Sequence, residues 1–532
     1  MRTLWQRVEY LVATKRAAAV LVLFAFALYW IEALGWPFER GRDAWDYMTY
    51  YLSLFDTHTP FTEVMLFRTP VTPIALGLPL SIGGATALEV TMAVLFAISV
   101  LAWSLAALAY SRLAAVLVAG TLLVFPAFSI PFHEASSDAV AMFGFSLFAL
   151  GLVRTAFRPS AARFVGLGAG AAAIALTRPA YVILAAGFLI PLCIRASWRS
   201  RFLWGVAYLC SVVALVGSWT LVNELRYGDL TLSRLSVAGQ LPRVVPSAGP
   251  ASARLTAIVQ LDVLSLPPYR RLHVTPAVYF DDPSQYEWIR LLGIADRADG
   301  IGSGFRLLKV AEAEAPPSKA HPVPTTERKG TYGHIATSMW HYVSLPAYRD
   351  QTHLKPAAWP VPSPTVSVSG HLRPNPEALP PSREAISFGF LPCASNEIAR
   401  CILSDPSAAY SDPAQARRYR EVTSTVRRWD APLGTGQSNR WLAIQLYRVS
   451  RYFPPPWLWL VVAAVMLPLR RVRGRGALVA LLGLGGLVLL LHAWVIGFVG
   501  PYAYPVLPAA IFAAICAAVG SRGERVTGEG GG

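Results

Sequence analysis

The chain has 532 residues, of which 54% are hydrophobic and only 15% are charged. An ordinary soluble domain has about 25% charged residues, so this composition excludes a typical soluble globular protein and indicates a membrane protein. The formal net charge is +16. Because many of the basic residues lie in short loops between apolar runs and not in one patch, nucleic-acid binding is not expected.

Apolar runs along the chain predict a polytopic α-helical membrane protein with about ten transmembrane helices. The positive-inside rule places the loops 111–112, 154–163 and 470–475 in the cytoplasm, with both termini on the same side. Loops 37–86 and 131–138 are then outside. A proline-broken apolar piece at 68–80 is too short to span and is expected to lie along the outer face or dip into it. The predicted spans cover approximately residues 17–36, 87–109, 113–130, 139–153, 165–176, 180–194, 202–222, 456–469, 477–495 and 502–519.

Residues 223–452 have a different composition, rich in proline, polar and charged residues, and contain no run that could span a bilayer. We expect an extracytoplasmic (periplasmic) domain of mixed α/β structure there. Strands are predicted at 255–263 and 277–280, and helices at 414–429 and 440–451. Cys393 and Cys401 are close enough in sequence to form a disulfide if this region is outside the cytoplasm. The predicted domains are a transmembrane module (1–222), this outer domain (223–452), closing transmembrane helices (453–520) and a cytoplasmic tail (521–532).

The predicted topology collects polar side chains on the outer side of the membrane. Asp43 and Asp46 are three residues apart and share one face of a short predicted helix. Few charges are expected deep in the membrane, where ion-coupled transporters place theirs, so an enzyme at the outer rim fits better. The outer residues are Asp43, Asp46, Asp56, His58 and Arg68 in the first loop, His133, Glu134 and Asp138 in the second, Arg178 at the next hairpin, and His492, Tyr502 and Tyr504 at the last turn.

Carboxylates and arginines at a bilayer edge suit group transfer from a lipid-phosphate donor. A carboxylate within reach of an acceptor hydroxyl can take its proton, and a guanidinium can neutralise the charge that develops on a phosphate leaving group. No nucleophile elbow, Walker loop or HExxH motif occurs in the sequence. The absence of a phosphate-binding Gly-rich loop argues against a cytosolic nucleotide-sugar donor.

The arrangement resembles the GT-C superfamily of membrane glycosyltransferases, which includes protein mannosyltransferases, aminoarabinose transferases, arabinofuranosyltransferases and oligosaccharyltransferase subunits. The resemblance rests on the order and sidedness of short motifs and covers most of residues 1–222 and the closing spans. These motifs are Asp43 with Asp46, Arg68-Thr69-Pro70, His133-Glu134 with Asp138, Leu176-Thr177-Arg178-Pro179, and the stretch from Pro501 to Pro508.

The resemblance implies transfer of a sugar from a polyprenyl-phosphate donor to a glycan, lipid or protein outside the cytoplasm. It assigns the catalytic base to Asp43 or Asp46. Many members carry an Arg-Tyr pair at the last outer turn, where this chain has Pro501-Tyr502, so a phosphate role there would pass to Arg68 or Arg178. The remaining implied roles are assisting acidic or acceptor groups for His133, Glu134 and Asp138, phosphate contacts for Arg68 and Arg178, and a donor or lipid pocket for Tyr47, Tyr502, Tyr504 and His492.

Other interpretations stay open from the sequence alone. Asp43 and Asp46 could be the solvated face of an interfacial helix with an aromatic belt, and Asp138 could cap the following span. The chain could be a lipid-linked glycan transporter, a scaffold with a partner-binding outer domain, or a membrane acyl- or phosphotransferase. No metal set is evident from spacing, although the converging carboxylates leave a divalent cation (Mg²⁺, Mn²⁺ or Ca²⁺) open.

Overall fold

The protein is described by a computed structural model that covers residues 15–41, 44–54, 69–227, 230, 232–233, 325–344, 365–368, 371–374, 413–434, 439–470, 472–495 and 503–520. Two 3-10 helices, Ile130–His133 and Pro179–Cys193, accompany the α-helices. The α-helices are α1 (Lys15–Ala33), α2 (Ala44–Ser53), α3 (Val71–Leu108), α4 (Arg112–Leu123), α5 (Pro126–Ser129), α6 (Ser137–Phe157), α7 (Ala161–Ala175), α8 (Trp198–Tyr227), α9 (Thr325–Ser344), α10 (Pro413–Asp430), α11 (Arg440–Tyr452), α12 (Pro456–Leu469), α13 (Arg475–Val495) and α14 (Leu507–Val519).

Helices dominate the described residues, and their apolar lengths are those of a membrane protein. Five of them, α1, α3, α6, α8 and α13, are long and apolar enough to cross a bilayer. Helix α4 and the segment Pro126–His133 make a sixth candidate span, bent by 78°. Four shorter apolar helices coincide with the remaining predicted runs, namely α7, the 3-10 helix Pro179–Cys193, α12 and α14. The sequence prediction of a multi-helix membrane protein is confirmed at this level.

Helix α3 contains both the proline-broken piece at 68–80 and the following apolar run. It breaks at Gly83 and Gly84, and Gly84 has φ 64° and ψ −155°, a conformation open essentially to glycine alone. The break lets residues 71–82 take a direction different from that of residues 85–108. The first part carries exposed Ile74, Leu78 and Ile82 at four-residue spacing, which is one apolar helix face.

The loops of the bundle gather into two groups. Tyr110 Oη donates to the Gly474 carbonyl at 3.2 Å, and Ser111 Oγ donates to the Val519 carbonyl at 3.1 Å. Arg473 lies 5.6 Å from the centre of the Phe157 ring. Loops that the sequence predicts to be cytoplasmic therefore meet at one end. The predicted outer loops meet at the other, as the contacts of the candidate site describe.

The described part of the region 223–452 consists of helices and one hairpin. Helices α10 and α11 confirm the helices predicted at 414–429 and 440–451. The hairpin pairs β1 (Thr365–Val368) antiparallel to β2 (His371–Pro374). This short sheet does not support a mixed α/β domain, and the strands predicted at 255–263 and 277–280 lie outside the described residues.

Candidate functional site

An ion pair between Asp138 and Arg178 is the centre of the polar end of the bundle. Arg178 Nη1 lies 2.6 Å from Asp138 Oδ1, and Nη2 donates to Oδ2 at 3.0 Å, so the contact is bidentate. Arg178 Nε also donates to Ser137 Oγ at 2.8 Å. The two side chains are 15% and 10% exposed. Asp138 lies in the first turn of α6, whose N-cap residue is Ser136, so Asp138 pairs with Arg178 from within the helix and is not the N-cap residue.

The start of α3 holds the Arg178 hairpin from the other side. Val71 N donates to the Leu176 carbonyl at 3.0 Å, and Thr72 Oγ1 donates to the Thr177 carbonyl at 3.1 Å. Thr69 and Thr72 are both buried. The segment that directly follows Arg68 is thereby fixed against the two residues that precede Arg178.

The first outer loop pairs with the second through a short parallel bridge between Glu39 and Glu134. Glu39 N donates to the His133 carbonyl at 2.9 Å, and Ala135 N donates to the Glu39 carbonyl at 3.0 Å. Gly41 packs so closely that a Cβ atom there would lie 2.7 Å from Ser136 Cβ. The residues just before Asp43 thus lie against the residues just before Asp138.

Segments from the outer region lie against this first loop. Arg40 Nη1 is 3.5 Å from Asp430 Oδ2, and Gly434 N donates to the Phe38 carbonyl at 3.1 Å. Arg418 Nη2 donates to the Leu52 carbonyl at 3.0 Å. Contacts therefore flank α2 on both sides, which fixes the position of the helix that contains Asp46.

A second polar cluster, consisting of Glu32, His133 and Tyr29, lies behind the bridge. His133 Nε2 is 3.5 Å from Glu32 Oε2, and both residues are buried. The His133 ring stacks on Tyr29 with 4.1 Å between ring centres, and its Nδ1 is buried without a hydrogen-bond partner in the described part of the chain. Glu89 of α3 lies near both Tyr29 and His133.

Sequence reasoning missed Glu32 and Glu89. Glu32 is the second-last residue of α1 and contacts His133, and Glu89 lies five residues after the break in α3, so the expectation of few charges deep in the membrane stays a prediction. The available signal was a carboxylate inside an apolar run, which is rare and needs a partner.

The predicted pocket residues on other helices are buried, and one of them reaches the Arg178 hairpin. His492 of α13 is 1% exposed, its Nδ1 lies 2.8 Å from the Val488 carbonyl, and its ring is 5.8 Å from that of Tyr181. Tyr47 is buried on α2, and Tyr504 is buried before α14. Glu134 is half-buried.

Several predicted site residues cannot be placed. For Asp46 the structure describes only the helical backbone of α2. Among the described residues, no group of three or more His, Cys, Asp or Glu side chains could hold a metal ion, so the divalent cation stays open. Asp43, Asp56, His58, Arg68, Tyr502, Cys393 and Cys401 lie outside the described residues.

Comparison with known proteins gives a weak likeness to solved structures. No family model and no curated protein sequence matches the chain. The chain is similar to ArnT from Cupriavidus metallidurans bound to undecaprenyl phosphate, with 13% identity, 86% of this chain and 81% of that chain covered, and a TM-score of 0.32. The apo state of ArnT gives 13% identity, 85% and 80% coverage, and a TM-score of 0.32. A likeness at this TM-score does not by itself establish a common fold or family.

Proposed function

We propose that this protein is a membrane glycosyltransferase that moves a sugar from a polyprenyl-phosphate donor to an acceptor outside the cytoplasm. The acceptor is a cell-wall glycan, a lipid-linked glycan or a protein. The proposal places the chain in a plasma or inner membrane, with both termini cytoplasmic and residues 223–452 on the outer side. The observation that carries it is the convergence of four polar segments, distant in sequence, at one end of the bundle.

That convergence has a specific pattern. Residues 39–41, which precede Asp43, contact residues 133–136, which precede Asp138. Asp138 binds Arg178, and the residues before Arg178 bind the segment that follows Arg68. Four described segments, each next to or containing one of these motifs, thus contact one another in series, which supports a shared site for a carboxylate base and a phosphate.

The proposed chemistry is a single inverting displacement. Asp43 or Asp46 takes the proton of the acceptor hydroxyl, and the acceptor oxygen forms a bond to the anomeric carbon. The bond between that carbon and the phosphate oxygen breaks, and polyprenyl phosphate leaves with the electron pair. Arg68 and Arg178 stabilise its negative charge, because a positively charged guanidinium attracts a phosphate.

In this proposal Asp138 orients Arg178, and Glu134 adds an acidic group near the acceptor. The bidentate contact fixes the plane of the guanidinium before the donor binds. The exposed apolar face of α3 at Ile74, Leu78 and Ile82 offers a surface for lipid tails beside it.

The test is transfer of labelled sugar from a panel of polyprenyl-phosphate-linked sugars to membranes of the source organism. Wild-type protein is compared with Asp43→Asn and Asp46→Asn, and with Glu224→Gln on the exposed surface of α8 as a control. We expect one aspartate variant to lose activity by about 100-fold or more, the usual contribution of a general base, while the control keeps full activity. Wild-type activity in both aspartate variants would remove the proposed base.

A second candidate function is proton-coupled transport of a lipid-linked glycan. The observation that favours it is the cluster of Glu32 and His133 with Glu89 nearby, because ionisable groups within spans often form proton relays. Purified protein in sealed vesicles would then move the labelled lipid across the bilayer in response to a pH gradient, with no sugar transferred. Transfer without a gradient dependence would favour the enzyme.

A further inference from the structure

A long apolar groove runs between α3, α6 and α7. Its volume is about 730 Å³, which is within the roughly 300–1,000 Å³ of ligand pockets. Glycines form its floor because they have no side chain to fill the space between the helices, with Gly144 and Gly151 on α6 and Gly166 and Gly170 on α7. A Cβ atom added at Gly166 would meet nothing within 4 Å, whereas one added at Gly144 would lie 2.9 Å from Ile174 Cγ1, so the groove is open over Gly166 and narrow at Gly144.

The groove has the length and lining of a site for a lipid chain. Its lining on α6 extends from Val140 to Thr155, which is about 22 Å at 1.5 Å per residue. Side chains such as Leu95, Leu147 and Phe148 face it. A slot of this shape offers dispersion contacts that a flat helix surface does not.

The two ends of the groove differ in charge. At one end Thr177 and Val71 adjoin Arg178, whose charge is balanced by the carboxylate of Asp138. At the other end Arg154 and Arg163 line the groove, and both are exposed.

The arginines at this second end have no acidic partner in the part of the chain that the structure describes. Arg163 Nη1 donates to the backbone carbonyls of Arg154 and Arg158, which leaves its other N–H groups without a described partner. Arg473, beside Phe157, adds a further positive charge near this end. Uncompensated guanidinium groups attract phosphate.

We infer that the groove binds one chain of an anionic phospholipid whose phosphate lies at Arg154 and Arg163. Charge complementarity selects this occupant, because a zwitterionic headgroup would bring its own cation to the same arginines. The headgroup position at Arg154 and Arg163 is separate from the Asp138–Arg178 pair, whereas the groove includes Ile74 and Leu78 of the α3 face proposed above for the donor's lipid tail. Polyprenyl phosphate is not required for it.

The test uses the full-length protein in detergent and native mass spectrometry. Dioleoyl phosphatidylglycerol and dioleoyl phosphatidylcholine have the same chains and differ in headgroup charge. We expect one phosphatidylglycerol to bind saturably, at least about tenfold more tightly than phosphatidylcholine. The variant Arg154→Gln/Arg163→Gln should bind both lipids equally. The variant Arg195→Gln/Arg199→Gln, which removes two exposed arginines outside the groove, should behave like wild type.

A steric variant tests the place of the lipid chain. Gly166→Phe should fill the groove and weaken binding of both lipids, whereas Gly217→Phe on α8, where a Cβ also meets nothing within 4 Å, should have no effect. Equal binding of the two lipids by wild type would overturn the proposal, and so would equal loss in the two arginine double variants. Unchanged lipid binding by Gly166→Phe would also contradict the proposal. If Gly166→Phe fails to fold, the arginine double variants still test the proposal, because they do not alter the packing of the helices.

Discussion

Arginines lie at both ends of the α6–α7 pair, and the two sets are held in opposite ways. Arg178 is 15% exposed and makes a bidentate contact with Asp138. Arg154 and Arg163 are exposed, and Arg163 contacts only backbone carbonyls among the described residues. The first arrangement fixes a guanidinium in one orientation, as a reaction site requires. The second leaves exposed charges at one end of the groove, as the proposed headgroup site requires.

The difference predicts unequal contributions to stability. Arg178→Ala should lower the free energy of unfolding by about 3 kcal/mol, because it leaves a mostly buried carboxylate without its counter-charge. Arg154→Ala should change it by less than about 0.5 kcal/mol, as exposed substitutions usually do. Unfolding in detergent by titration with a denaturing surfactant measures both. An equal loss of unfolding free energy in Arg178→Ala and Arg154→Ala would contradict the difference described between the two ends.

Gly84 links the two regions, because the first part of α3 binds the Arg178 hairpin and also lines the groove. Gly84→Ala should lower the free energy of unfolding by about 2 kcal/mol, since alanine is strained at φ 64° and ψ −155°.

The control for this variant is Gly217→Ala, a glycine within α8 with open space around it. It should be neutral or stabilise by up to about 1 kcal/mol through helix propensity. Surfactant titration of both variants gives the comparison. A Gly84→Ala protein as stable as wild type would mean that the break in α3 does not depend on this backbone conformation.

The smallest expected effect is at the cluster behind the bridge. Glu32→Gln keeps a hydrogen-bonding group next to His133 and removes only the charge, so the free energy of unfolding should fall by about 1 kcal/mol. Glu224→Gln, on the exposed side of α8, should have no measurable effect. If Glu32→Gln were as damaging as Arg178→Ala, the outer end would depend on the Glu32 charge as much as on the Asp138–Arg178 pair.

The sequence was sufficient to predict the helices of the bundle and which loops lie at the same end of it. Apolar length and basic loops predicted ten runs, and each of them contains a helix in the structure. The length of an apolar run is a local property, so it can be read from a single sequence. Ser111 and Arg473, which the sequence predicts to be cytoplasmic, also lie at one end of the bundle. This grouping was predictable because successive spans cross the membrane in alternate directions, which puts every second loop on the same side.

The sequence alone did not predict which residues, distant along the chain, form ion pairs. Asp138 and Arg178 are 40 residues apart, and Glu32 and His133 are 101 apart. Which carboxylate meets which cation depends on the packing of whole helices, and spacing along one chain does not encode it. The groove could not be predicted from the sequence either. Its glycines come from two helices, α6 and α7, and the relative rotation of these helices depends on their other contacts. Glu89 could have been noticed as a charge in an apolar run.

In the proposed reaction the donor phosphate binds at Arg178 and not at the opposite end of the groove. The most direct measurement is the Michaelis constant for the polyprenyl-phosphate sugar in Arg178→Lys and in Arg154→Gln/Arg163→Gln, with folding checked by size-exclusion chromatography. Lysine keeps the charge and loses the bidentate geometry, so we expect the constant to rise about tenfold or more in Arg178→Lys and to stay unchanged in the double variant. A rise in the double variant, with Arg178→Lys like wild type, would contradict the account.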